Sequence, residues 1–90
     1  MGNISCADGG GATVGETFNF ENHSDAPCTL GGFSSFMTVA TNPVPAKTEA
    51  GPGTSGATIL TGIADGDYPY TASCNQKRGD PVIHVSSGKP

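Results

Sequence analysis

Glycine and proline break this chain into pieces too short for long helices: 14 glycines and 7 prolines are spread through 90 residues. Short apolar runs stand between them, a spacing that suits many short strands joined by turns better than a few long helices. The one stretch rich in helix formers, Ala46-Lys47-Thr48-Glu49-Ala50, is held between Pro45 and Gly51-Pro52-Gly53. It is too short to nucleate a helix by itself. Strand signals recur instead, at Ile4, from Val14 to Asn22, at Cys28-Thr29-Leu30, from Phe33 to Thr41, from Gly56 to Ile63, from Tyr68 to Cys74 and from Pro81 to Ser86. In the second of these, Phe18 and Phe20 alternate with Thr17, Asn19 and Glu21, the period of a half-buried strand. Turns are expected at Asn22–Pro27 and at Asp65-Gly66-Asp67, and a flexible connector at Gly9-Gly10-Gly11. Pro69 lacks a ladder N–H, so its segment belongs at a sheet edge or with that nitrogen turned away from a neighbour. No internal repeat is present. The expectation is an all-β sandwich or small barrel.

Ninety residues fit one domain, 1–90, and a chain of this size buries only about 60–65% of its unfolded surface, which leaves a thin core. Charged residues are 13% of the chain and the formal net charge is −4. The fixed cations, Lys47, Lys77, Arg78 and Lys89, are scattered, whereas a phosphate-binding surface gathers several on one face. Nucleic acid and anionic membranes are therefore excluded as expected partners. No apolar run is long enough for a membrane-spanning helix, and no signal-peptide core follows Met1. Two readings remain: a cytosolic protein, or a mature secreted or periplasmic chain with Met1, or Met1-Gly2, added for expression. Cys6, Cys28 and Cys74 favour the second, because small core-poor chains are where disulfides are needed. No Cys-x-x-Cys pair exists, which excludes a zinc ribbon or a thioredoxin motif. Three is odd, so one thiol stays free or pairs outside the chain.

Candidate chemistry is sparse. His23 sits in a polar turn and His84 in the last strand opposite Ile83 and Val85, so both are expected to be solvated. Nucleophilic catalysis needs a Ser or Cys beside an oriented base, and no such motif is present; the chain is expected not to be an enzyme. Asp65 and Asp67 flank a turn glycine and lack the spacing of a calcium loop. The glycines at 9–11 lack the Lys-Ser/Thr of a phosphate loop. Tyr68, Tyr70, Phe33 and Phe36 could line a platform for a glycan or peptide, but a thin core without Trp needs them first.

The order of elements resembles the cupredoxins, the plastocyanin and amicyanin type of sandwich, from about Val14 to Val85. Val14-Gly15-Glu16-Thr17-Phe18-Asn19-Phe20-Glu21-Asn22 is similar to the family strand that ends in Asn before the first copper ligand. Val44-Pro45-Ala46 and the Gly-rich stretch after it look like the connection before the penultimate strand. Gly66-Asp67-Tyr68-Pro69-Tyr70 through Cys74, then Gly79-Asp80-Pro81-Val82-Ile83-His84-Val85, are similar to the Gly-x-Tyr-x-Tyr strand, ligand loop and terminal strand. The resemblance implies an antiparallel Greek-key sandwich of six to eight strands.

The ligands depart from the family pattern. Cys28 stands where the family has its first His, and Asn75 to Pro81, after Cys74, contain no His or Met. A blue-copper centre needs two imidazoles and a thiolate, so the resemblance carries fold and not activity, and no cofactor is expected. It also implies that Cys28 and Cys74 converge and form a disulfide, with Cys6 left as the free thiol, open to linkage with another chain. Loop entropy gives about 4 kcal/mol for that pair and about 3.4 kcal/mol for Cys6–Cys28, so energetics does not choose between them. The functional expectation is a non-enzymatic extracytoplasmic structural or binding module with a protein or glycan partner. The alternative is an atypical metal-binding or electron-transfer protein holding copper through His23, Cys28, Cys74 and His84.

Overall fold

The structure is a computed structural model and describes residues 3–33 and 35–87; Met1-Gly2 and Lys89, considered above, lie outside the described residues. The alternation around the two phenylalanines forms strand β3 (Thr17–Asn22), which turns Phe18, Phe20 and Asn22 inward. Its antiparallel partner β6 (Gly53–Ile59) sets Ala57 opposite Phe18, Ser55 opposite Phe20 and Gly53 opposite Asn22. Each large inward group thus meets a small one, which lets both strands close without overpacking. Gly53 is required by its surroundings, since a Cβ there would overlap the Pro45 carbonyl oxygen. Strand β1 (Asn3–Ser5) adds to β3 in parallel, and β5 (Met37–Val39) adds to β6 antiparallel, giving a four-stranded sheet of order β1-β3-β6-β5.

Two three-stranded sheets complete the chain. In one, β10 (Val82–Ser86) lies between β2 (Gly10–Thr13), to which it is parallel, and β7 (Gly66–Pro69), to which it is antiparallel. In the other, β8 (Thr71–Cys74) lies between β4 (Cys28–Gly31) and β9 (Lys77–Gly79), both antiparallel. Tyr70 separates β7 from β8 and is the point where the chain passes from one sheet to the other. Its N–H donates to the Pro81 carbonyl at 2.9 Å and its hydroxyl to the Cys6 carbonyl at 2.8 Å. Its ring packs 5.6 Å from that of Phe20, which in turn meets Phe18 edge-on at 5.1 Å. Ile4, Leu30, Met37, Ile59, Ile83 and Val85 join them in one buried cluster drawn from all three sheets. Phe36 is buried and stacks on the half-buried Tyr68 at 5.0 Å, so these aromatics serve the core.

Described residues contain no helix, in line with the all-β expectation. Three expectations are corrected. The sheets are mixed and not wholly antiparallel, because the N-terminal segment supplies β1 and then β2, each running parallel to its neighbour. The strands number ten among the described residues, against six to eight expected: Tyr68 to Cys74 becomes two strands in two sheets, and β2 and β9 form from segments that carry no strand signal. Gly10 and Gly11 are not a loose connector but half of β2, and Gly9, at φ +71°, lies so close to the Val82 carbonyl that no Cβ would fit. Pro69 ends β7, an edge strand, where its missing N–H is tolerated.

Truncating Phe20 to Ala removes the ring at the centre of this cluster. A loss of about 3–5 kcal/mol is expected from denaturant unfolding monitored by circular dichroism; an unchanged midpoint would mean that β3 presents its other face.

Candidate functional site

One shaped feature of the surface is built around Cys28. Both backbone groups of Cys28 are taken by Val44: the Cys28 N–H donates to the Val44 carbonyl at 2.9 Å, and the Val44 N–H returns the bond at 2.8 Å. The N–H and C=O of a strand residue point the same way, so on its other side Cys28 meets Cys74 as a non-hydrogen-bonded pair, the kind with the closest side chains. The Cα atoms are 4.2 Å apart and the sulfurs form a disulfide. Two residues on, Leu30 repeats the arrangement with a side chain. The Asn42 amide accepts from the Leu30 N–H at 2.9 Å and donates to the Leu30 carbonyl at 2.8 Å, standing in for a neighbouring strand.

A groove of about 590 Å³ opens beside the disulfide. Ala72, Cys6 and the disulfide form its inner surface. Its ionisable lining residues are Asp8, Glu21 and His23, from the N-terminal third of the chain, and Lys77 and Arg78 on the β8–β9 hairpin. That hairpin turns through Asn75 and Gln76, both in the left-handed region at φ 48° and 66°, the two positive φ values of a type I′ turn, whose twist matches that of paired strands. The opposite wall is held by Asn22, whose side chain is buried and fully engaged. Its Oδ1 accepts from the Ser24 N–H at 2.8 Å and the Ser24 hydroxyl at 2.7 Å. Its Nδ2 donates to the Ala26, Val44 and Pro45 carbonyls at 2.8, 3.2 and 3.0 Å. One amide thus ties the turn after β3 to the segment that covers Cys28.

Of the residues singled out in the sequence, His23, Cys28, Cys74 and Cys6 line this one groove, and His84 does not. His23 bonds the Glu21 carboxylate at 3.2 Å and remains largely exposed. His84, on the outer face of β10, bonds Asp67 across the β10–β7 pair at 2.6 Å, with both side chains in solvent. The thiols that copper would need are joined to each other and the imidazoles are separated, so the residues present do not fit a type 1 copper centre. Among the described residues no group of three or more His, Cys, Asp or Glu side chains is placed to hold a metal ion.

Cys6 is free, as expected, but is not accessible. It is only 1% exposed, packed under Tyr70, and burial pushes its thiol up to about 11. The disulfide present lies within the chain, and a neutral, buried thiol is a poor nucleophile for the link to another chain expected above. Burial, with Cys6 and Asp8 nearby, likewise drives the Tyr70 phenol well above its ordinary range. The amide bonds of Asn22 and Asn42, and the hairpin that carries Lys77 and Arg78, had escaped the sequence reading. The signal for Asn22 was an Asn at a strand end followed two residues later by Ser, the pattern of an Asx turn. No protein-family model, curated protein or solved structure matches the chain.

Two outcomes follow from the sulfur chemistry. Replacing Cys28 and Cys74 together by Ser should lower stability by about 2–4 kcal/mol in denaturant unfolding. The Cys6 thiol, at about 11 when folded and 9.0 ordinarily, stays protonated in the fold after it ionises in the unfolded chain. Its stabilising share is therefore complete below pH 9 and is lost as pH rises from 9 toward 11. Unfolding free energies measured across that window should fall, and the fall should be shallower in Cys6→Ala.

Proposed function

We propose that this chain is a non-enzymatic, extracytoplasmic binding module built on a cupredoxin-like sandwich without a type 1 copper site, and that the groove beside Cys28–Cys74 is its binding surface. The observation that carries the reading is the disulfide itself. The two cysteines that the family resemblance sets at metal-ligand positions are bonded to each other, and a groove of ligand-binding size opens next to them. An intrachain disulfide suits an oxidising compartment. Among the described residues no helix is long and apolar enough to cross a membrane. The Greek-key, cupredoxin-like path is part of the proposal; its support is the all-β architecture and the placement of Phe18, Phe20, Tyr70, Ile83 and Val85 in one core. The groove's mixed charged rim and partly apolar lining suit a peptide or other small polar ligand better than a polyanion.

Intact mass and metal content of the purified protein test this together. The expected result is a mass two daltons (about two hydrogens, one disulfide) below that of the reduced protein, with no stoichiometric metal. Retained copper or zinc with all thiols reduced would replace this reading with that of an atypical metalloprotein.

A further inference from the structure

The groove places a disulfide and unneutralised cations in the same opening. Cys28 is 1% exposed, whereas Cys74 is only half-buried, so Cys74 is the more open half of the disulfide that lines the groove. Register puts Cys28, Cys74 and Lys77 in one row across β4, β8 and β9, which sets the Lys77 side chain beside Cys74 on the same face. Arg78, paired with Ser73, leaves β9 on the other face and adds its charge to the same end of the groove. Lys47 is ion-paired with Asp25 at 3.5 Å, but among the described residues neither Lys77 nor Arg78 has a carboxylate partner. The same groove is lined by Asp8, whose side chain is exposed. The groove thus complements a small molecule carrying a carboxylate at one end and an ammonium at the other, with its middle over the disulfide.

We infer that Cys74 is a thiolation site for small anionic thiol peptides, which enter the groove with a terminal carboxylate toward Lys77 and an ammonium toward Asp8. This rests on the reading of the groove as a binding surface. The thiolate sulfur of the peptide attacks Cys74 Sγ and a new S–S bond forms there. The Cys28–Cys74 bond breaks, and its electron pair leaves on Cys28 Sγ, which takes a proton from water. One disulfide replaces another, so no external oxidant or reductant enters. The Ser24 hydroxyl, 3.8 Å from Cys28 Sγ, stands next to the departing thiolate. Cys6 lines the same groove but stays protonated, so it does not compete as an internal nucleophile.

The test is the rate at which glutathione, 2-mercaptoethanol and cysteamine open the disulfide of the intact protein at low ionic strength. Rates are normalised to thiolate concentration and to each thiol's rate with a small uncharged disulfide. Glutathione should be about fivefold faster than the neutral thiol and cysteamine slower still, the order weakening with salt. The exposed double variant K77E/R78E should reverse that order. Alkylation of the quenched mixture should find glutathione on Cys74 and the alkyl group on Cys28. S-methylglutathione, which binds but cannot exchange, should slow the glutathione reaction. An adduct on Cys28, or a rate independent of thiol concentration, overturns the inference. Equal rates for the three thiols with protection by S-methylglutathione overturn the exchange and leave the groove reading standing; equal rates without protection overturn both.

Discussion

Cys28 can face Cys74 because it has already given both of its backbone hydrogen-bonding groups to Val44. That commitment fixes which kind of strand pair Cys28 and Cys74 form, and a non-hydrogen-bonded pair brings Cβ atoms to disulfide range without bending either strand. It also explains the polar groups buried nearby. Asn42 repeats the Val44 contact at Leu30 with an amide in place of backbone, and Asn22 fastens the covering segment through the Val44 and Pro45 carbonyls. Removing any of these would leave buried backbone groups without partners, which costs more than the bonds contribute when made. The disulfide and the amides therefore act as one construction, with sulfur crossing one side of β4 and nitrogen and oxygen holding the other.

The groove arises from how the chain divides itself among sheets. The N-terminal segment leaves β1 in the four-stranded sheet and enters β2 in another, and the link between them, Cys6 to Gly9, is a turn closed by the Asp8 and Gly9 N–H groups donating to the Ser5 carbonyl. The Tyr70 hydroxyl holds that link by the Cys6 carbonyl, 64 residues away in sequence. At the same residue the other end of the chain changes sheet, so the β8–β9 hairpin stands across from the Cys6–Asp8 link with an opening between them. One buried phenol thus positions both walls, and the same burial that raises its pKa keeps Cys6 neutral and inert beneath it.

How much of this was legible in the sequence depended on the range of the interaction. The period-2 run at Phe18 and Phe20, and Ile83 and Val85 around His84, identified inward faces because alternation is a local property of a strand. The edge position of Pro69 followed from a missing donor. What failed was non-local. Parallel pairing of β1 and β2 joins residues far apart in the chain, and no turn signal announces it. Gly10 and Gly11 read as a connector since composition does not reveal that the Val82 carbonyl passes over Gly9. Cys6 was expected to be open to linkage as the thiol left over from the disulfide, whereas it is buried and its carbonyl is held by the Tyr70 hydroxyl. The Cys28–Cys74 pair was reached through a family resemblance that places the two residues at one end of a sandwich; the structure places them as direct neighbours in a ladder. The cation pair at 77–78 looked scattered in a chain of net charge −4, and acquires a role only where the hairpin sets it beside sulfur.

The central claim is that Cys28 and Cys74 are joined while Cys6 remains a buried thiol, since the groove, its inner surface and its chemistry all follow from that connectivity. Peptide mapping of the unreduced protein, digested after unfolding in the presence of an alkylating reagent, reads it directly. The account predicts a single crosslinked species containing Cys28 and Cys74, and an alkylated peptide containing Cys6. A crosslink from Cys6 to either of the other two would contradict it.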